Sequence, residues 1–142
     1  MIEQTLVIIK PDGMKKRLVG KCLDRFERAG LHIKNIKIHK ISLNEAKRLS
    51  VDVKIEHPEI YKSQLSYLQE CPVIIAIIEG NNAVEKVRKI CGQSDPSRAP
   101  KGTIRGDFGE RKMPYEKRKA FRNIIRYSRA KEKIKKEIKI FF

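Results

Sequence analysis

Residues 5–13 read TLVIIKPDG. Thr5 to Ile9 form an unbroken β-branched and apolar run, and a continuous run rather than an alternating one marks a central strand. Pro11, Asp12 and Gly13 end it with turn chemistry. Residues 72–78, PVIIAII, repeat the pattern and predict a second inner strand. Between them, Leu18, Val19, Cys22, Leu23, Phe26 and Ala29 recur at helical spacing, and Gly30 follows as a C′ residue. Residues 36–41, IKIHKI, predict a strand with one wet face, and the step from Ile33 to Ile36 breaks period two as a bulge does.

Ser42 with Glu45 three places on predicts a capping box at a helix start, and Pro58 opens a second helical stretch through Leu68. Gly80 and Asn81 break the second strand, and Val84, Val87, Arg88 and Cys91 lie on a helix ending at Gly92. Residues 93–121 read as a long ordered loop, residues 123–126 as a short strand and residues 130–138 as a last helix. The order β, α, β, α, α, β, α, loop, β, α predicts an α+β sandwich of ferredoxin-like type. It is a four-stranded antiparallel sheet with helices on one face. No internal repeat or low-complexity linker divides the chain, so residues 1–142 form one domain with an extended basic loop at about 109–122.

Hydrophobic residues make up 40% of the 142, enough for one core. Lys and Arg number 33 against 17 Asp and Glu, a net charge of +16, which favours phosphates, nucleotides or RNA as partners. The excess is uneven: residues 111–142 hold 13 basic and 3 acidic side chains. Arg111, Lys112, Lys117, Arg118, Lys119, Arg122, Arg129 and Lys131 are candidates for an RNA- or ribosome-binding surface. Tyr115, Phe121 and Tyr127 are interleaved with them for base stacking. No apolar run reaches the length of a membrane span, so a membrane partner is not expected. Cys22, Cys71 and Cys91 lack CxxC spacing, which argues against a disulfide framework or zinc site and suits a reducing cytoplasm.

Two stretches carry chemistry. Lys10 follows the first strand, where a rigid KPDG turn would aim it outward at the sheet edge, a place where ligands of such folds gather. In residues 102–108, GTIRGDF, two glycines bracket Arg105, so backbone can approach a ligand closely and the guanidinium can grip a phosphate. Arg88, near a helix end, and Ser94 add a further cation and a hydroxyl.

Taken together, TLVIIKPDG, LVGKCLDRFERAGL, CPVIIAIIEG, CGQSDP, KGTIRGDF and NIIRYSRAKEKIKKEIKIFF occur in an order and spacing that resembles the nucleoside diphosphate kinase family. The resemblance covers essentially the whole chain. It implies a βαββαβ core, assembly of dimers into larger homo-oligomers, and a site for nucleoside di- and triphosphates of the ADP/ATP class. It implies Mg2+ carried by the bound nucleotide. By position, Lys10, Arg88 and Arg105 match the family's phosphate-binding cations and Ser94 its phosphate-binding Thr. Asn123 matches the Asn that holds the ribose and Lys. Glu137 matches the Glu that orients the catalytic His.

The departures from the resemblance fall at the chemistry. The family transfers a γ-phosphoryl group by a ping-pong route through a His three residues after the Asn, and here that position is Arg126. A guanidinium, with a pKa above about 12, keeps its proton and offers no lone pair to phosphorus. Ser50 stands where the family has a Tyr beside the His, Tyr127 replaces a small residue, and Arg129 an acidic one. Ile60 or Tyr61, and Gln64, fall where the family clamps the base. His32, His39 and His57 lie far from Asn123 in sequence, and Cys91 reads as a packed small hydrophobe. The expectation is therefore a family-derived nucleotide- or RNA-binding protein without phosphotransfer, with Arg126 joining Lys10, Arg88 and Arg105 in the phosphate site. The alternative is an active kinase moving the γ-phosphate from a nucleoside triphosphate to a diphosphate.

Overall fold

A computed structural model describes residues 1–110, 120 and 122–142. In chain order the elements are β1 (Ile2–Ile9), α1 (Pro11–Lys15), α2 (Val19–Arg28), β2 (His32–His39), α3 (Leu43–Leu49), α4 (Val51–Glu56), α5 (Tyr61–Leu68), β3 (Val73–Asn81), α6 (Ala83–Cys91), α7 (Ile104–Phe108), β4 (Ile125–Tyr127) and α8 (Lys131–Phe141). The strands form one sheet in the order β2-β3-β1-β4, every neighbouring pair antiparallel. The two continuous apolar runs are therefore the two inner strands. β1 and β3 pair from Ile2 opposite Asn81 to Ile9 opposite Ile74.

The helices cover both faces of the sheet, not one. Val7, Ile9, Ala76 and Ile78 pack with Phe26 of α2 and Val87 of α6. The alternate residues Leu6, Ile8, Ile75 and Ile77 pack with Leu49, Leu68 and Phe141 from α3, α5 and α8. Successive side chains of a strand point to opposite faces, so an unbroken apolar strand must bury both.

Smaller elements follow local chemistry. Ser42 accepts from the Glu45 amide while the Glu45 carboxylate accepts from the Ser42 amide, which closes the capping box. The register of β2 against β3 shifts between Ile33 and Asn35, at the break in alternation. β3 runs on through Gly80 and Asn81, past its expected end, because Glu3 and Ile2 of β1 pair with them. Pro11 does not merely stop β1; with its nitrogen needing no partner it starts α1 at once. Cys22 and Cys91 are fully buried core residues, and burial pushes both thiols up to about 12. Among the described residues, no helix is long and apolar enough to cross a membrane.

Candidate functional site

Lys10 leaves the end of β1 into the interior, not outward, and is 5% exposed. Its amide donates to the Ile124 carbonyl at 2.8 Å and its ammonium to Asn123 Oδ1. The Lys10 Nζ also lies 5.0 Å from the centre of the Tyr67 ring. Burial, reinforced by the nearby Arg105 charge and opposed by Asp12, pulls the Lys10 ammonium down to about 7; Arg126 and Arg129 push the same way as Arg105.

Arg105 sits on α7, whose first turn is capped by the Thr103 hydroxyl accepting from the Gly106 amide at 3.0 Å. The loop expected over 93–121 thus contains a short helix. Arg105 is 3% exposed. It donates to the Gly92 carbonyl at 2.9 Å and the Ile125 carbonyl at 2.6 Å, and its guanidinium stacks 5.2 Å from the Tyr127 ring centre. Its Nε–H is buried and finds no partner among the described residues. Burial is the main cause holding its pKa below the usual arginine value. Gly106, expected to let a ligand come close, instead lets its own chain come close: a Cβ there would lie 2.0 Å from the Pro100 carbonyl oxygen.

Asn123 joins the parts. Its Nδ2 donates to the Ser94 carbonyl at 2.7 Å while its Oδ1 receives Lys10. Arg129 then donates to the Ser94 hydroxyl. A hydrogen-bonded series therefore runs Lys10, Asn123, Ser94, Arg129, with Arg105 alongside.

Arg126 belongs to a different set of contacts. It stands on β4 opposite Ile8. One guanidinium nitrogen donates to Glu137 Oε1 at 2.6 Å and another to the Leu49 carbonyl at 3.2 Å. The same Glu137 oxygen accepts from the Ser128 hydroxyl at 2.8 Å. Ser50 Oγ, one residue beyond Leu49, is buried with no partner among the described residues. A cavity of about 310 Å³ adjoins the Arg126–Glu137 pair and is also lined by Arg48, Leu49, Val51 and Lys133. Arg126, expected in the phosphate site, is thus hydrogen-bonded to α8 and to the α3–α4 junction, while its charge still reaches Lys10. A buried carboxylate beside a guanidinium outcompetes solvent for it. Arg88 is bound by Glu85, its (i, i+3) neighbour, at 2.5 and 2.9 Å on an exposed helix face, and no hydrogen bond to Lys10, Asn123 or Ser94 joins it to the cluster among the described residues.

Of the expected nucleic-acid surface, Arg111, Lys112, Lys117, Arg118 and Lys119 lie outside the described residues, as do Tyr115 and Phe121. Arg122 pairs with Glu70 at 2.5 Å and Lys131 with Glu3 at 2.8 Å. Arg122, aided by Lys15, holds the Glu70 carboxyl down at about 2.

Sequence reasoning missed Asp12. It is 5% exposed, accepts from the Tyr67 hydroxyl, and accepts from the Ile124 amide at 3.0 Å. Ile124 has a φ of 74°, a left-handed conformation that strains a β-branched residue. Asp12 therefore pins a strained backbone between Asn123 and β4. The one available signal was an acid placed directly after Lys-Pro at a strand end.

A family model described as nucleoside diphosphate kinase matches residues 3–142. The nucleoside diphosphate kinase of Sulfurisphaera tokodaii is 40% identical over 141 residues, covering 99% of this chain and 89% of that protein. The one from Pyrococcus abyssi is 41% identical over 142 residues, covering 99% of this chain and 84% of that protein. Among solved structures, a transition-state mimic of the Borrelia burgdorferi nucleoside-diphosphate kinase with vanadate and ADP superposes with a TM-score of 0.91 at 34% identity. It spans 99% of this chain and 87% of that one. A Halobacterium salinarum nucleoside diphosphate kinase in complex with CDP superposes with a TM-score of 0.87 at 29% identity, over 100% and 88% of the two chains.

Proposed function

The chain belongs to the nucleoside diphosphate kinase family, and we propose that its site binds nucleoside di- and triphosphates through Lys10, Arg105, Ser94 and Asn123. The observation that carries this reading is the convergence of a buried lysine, hydrogen-bonded to Asn123, and a buried arginine whose charge bears on it. Buried cations with so little carboxylate compensation are costly by themselves, and a phosphate supplies the missing charge. The partly unpartnered Arg105 guanidinium supports the same conclusion. ADP and CDP in related structures are the ligands of those proteins and name the class to try first.

Whether the bound nucleotide is also turned over divides two readings. Relatives near 40% identity that bear the kinase name support transfer of a γ-phosphoryl group between nucleotides. Against that, the position matched to the phospho-accepting His is Arg126, and its guanidinium is tied to Glu137 and the Leu49 carbonyl. On the chemistry of this chain we favour nucleotide binding without the ping-pong relay. Incubation with γ-labelled ATP, with and without a second nucleoside diphosphate, separates the two. Bound nucleotide with neither phosphoenzyme nor labelled product supports the binding reading, and turnover establishes the kinase.

Self-association is part of the proposal. β2 is an edge strand that exposes Ile36 and Ile38, and unpaired strand edges with apolar side chains favour pairing with another copy. Light scattering tests it. RNA binding rests on the charge concentrated in residues 111–142 alone. A salt-dependent gel shift that is lost on reversing Lys117, Arg118 and Lys119 would support it, and no shift at low salt would discard it.

A further inference from the structure

The cation at the outer end of the site, Arg129, bears on the form in which nucleotide phosphates bind. Its guanidinium donates to the Ser94 hydroxyl, and Ser94 is joined through Asn123 to Lys10. Its partner in that contact is neutral, so its charge is not cancelled there. The charge is felt by its neighbours, since Arg129 contributes to lowering both Lys10 and Arg105.

A magnesium ion held by protein groups asks for carboxylate or carbonyl oxygen at close range. The described carboxylates around this cluster are engaged. Asp12 accepts from the Tyr67 hydroxyl on one oxygen and from the Ile124 amide on the other. Glu137 receives Arg126 and Ser128. Asp95, beside Ser94, receives the amide and hydroxyl of Ser97 at 2.9 and 2.7 Å. The charges of the cluster whose described hydrogen-bond partners are all neutral are the cations Lys10, Arg105 and Arg129. Among the described residues this donor set offers no free carboxylate to a divalent metal riding on the nucleotide, and its cations suit bare phosphate oxygens.

We infer that Arg129 supplies the charge neutralisation a divalent cation would otherwise provide, so that the site takes nucleoside di- and triphosphates as metal-free anions. The inference rests on the nucleotide-binding reading above and specifies the ligand form. The guanidinium fork is matched to two phosphate oxygens of one group, and it is permanently charged. Chelation of Mg2+ by the same oxygens removes two units of negative charge from the ligand and weakens its attraction to a cluster of Lys10, Arg105 and Arg129.

Calorimetric titration of ADP into the full chain, once in EDTA and once in excess Mg2+, tests this with the protein as it is and with Arg129→Ala and Arg129→Lys. The expected result is that ADP binds at least as tightly in EDTA as in Mg2+. Arg129→Ala should lose about tenfold in EDTA and bind better once Mg2+ is added. Arg129→Lys should keep part of the metal-free affinity, because the charge is retained and the fork is lost. Binding to the unaltered chain that is more than about tenfold tighter with Mg2+ overturns this inference and leaves nucleotide binding intact. An Arg129→Ala variant that keeps the metal dependence of the parent overturns it in the same way. No ADP binding in either buffer overturns both.

Discussion

Arg126 and Glu137 form an ion pair at 2.6 Å between β4 and α8, with side chains 19% and 11% exposed. The resemblance assigns these two positions to a nucleophile and the carboxylate that orients it. Here the carboxylate orients a cation, and the pair serves to join three parts of the fold: β4, α8 and, through the Leu49 carbonyl, the end of α3.

Breaking the pair from one side should be expensive. Glu137→Ala leaves the Arg126 guanidinium mostly buried and the Ser128 hydroxyl without its acceptor. The expected loss is about 2–3 kcal/mol. Replacing both partners with apolar residues of similar volume, Arg126→Met with Glu137→Leu, should cost less than the single change. Urea denaturation of the parent and the two variants measures the difference.

Asp12 should matter more for stability than its place in a turn suggests. Asp12→Ala removes the acceptor of the Tyr67 hydroxyl and of the Ile124 amide, both in the interior. Two buried donors lose their partner, and the left-handed backbone of Ile124 loses its tether. A fall of about 2–4 kcal/mol in unfolding free energy is expected. Tyr67→Phe, which removes one of the two bonds and no backbone partner, should cost less in the same assay.

The Lys10 ammonium, lowered to about 7 in the folded chain from an ordinary value of 10.5, gives a pH dependence of known sign. Between these values the unfolded chain binds the proton and the folded one does not, so the Lys10 contribution to stability rises with pH from about 7 to about 10.5. Below about 7 its cost is constant. A phosphate ligand raises the folded pKa, so ADP binding near pH 8 should take up a proton and weaken as pH rises. Titrations in buffers of different ionisation enthalpy measure the uptake, and Lys10→Met should abolish it. Asp12, Arg105, Arg126 and Arg129 also set this value, and Asn123 and Tyr67 contact the group directly.

How far these features were legible depends on their range along the chain. TLVII and PVIIAII announced two inner strands because an unbroken apolar run has few other uses. The same property required helices on both faces, a consequence the pattern contained and the one-faced expectation overlooked. The helix Ile104–Phe108 is five residues long and carries a glycine, so its periodicity is too short to register; only the Thr103 cap hinted at it. Lys10, Ser94, Arg105 and Asn123 were legible as candidates, whereas the bonds that join Lys10, Asn123 and Ser94 and those that hold Arg105 to the Gly92 and Ile125 carbonyls were not. Asn123 reaches Lys10 across 113 positions, and Arg126 reaches Leu49 across 77. Such contacts are decided by the sheet register and by competing local carboxylates, which single residues do not display. Arg88 shows the competition most simply, since Glu85 three residues before it takes its guanidinium.

A histidine placed at position 126, where the resemblance has one, tests how far its present surroundings support phosphotransfer. Arg126→His places an imidazole where Glu137 Oε1 can receive a ring N–H, leaving the opposite nitrogen free to attack phosphorus. That much of the arrangement persists, because Glu137 is still held by Ser128 at 2.8 Å. Two other supports do not. The buried Ser50 hydroxyl has no partner among the described residues and is too short to act as the longer phenol that the resemblance places there. Arg129 puts a cation on Ser94 where the resemblance has an acid. Loss of a nucleophile costs several orders of magnitude in rate, and a nucleophile returned without its surroundings recovers only part of that. With γ-labelled ATP the parent chain should form no acid-labile phosphoenzyme and Arg126→His only a trace. Adding Ser50→Tyr and Arg129→Asp should raise the phosphoenzyme yield about tenfold over the single variant. If Arg126→His alone reaches full occupancy, the surrounding changes are neutral. If the parent chain itself becomes labelled on a side chain, the phosphoryl group has another acceptor, and the kinase reading holds despite Arg126.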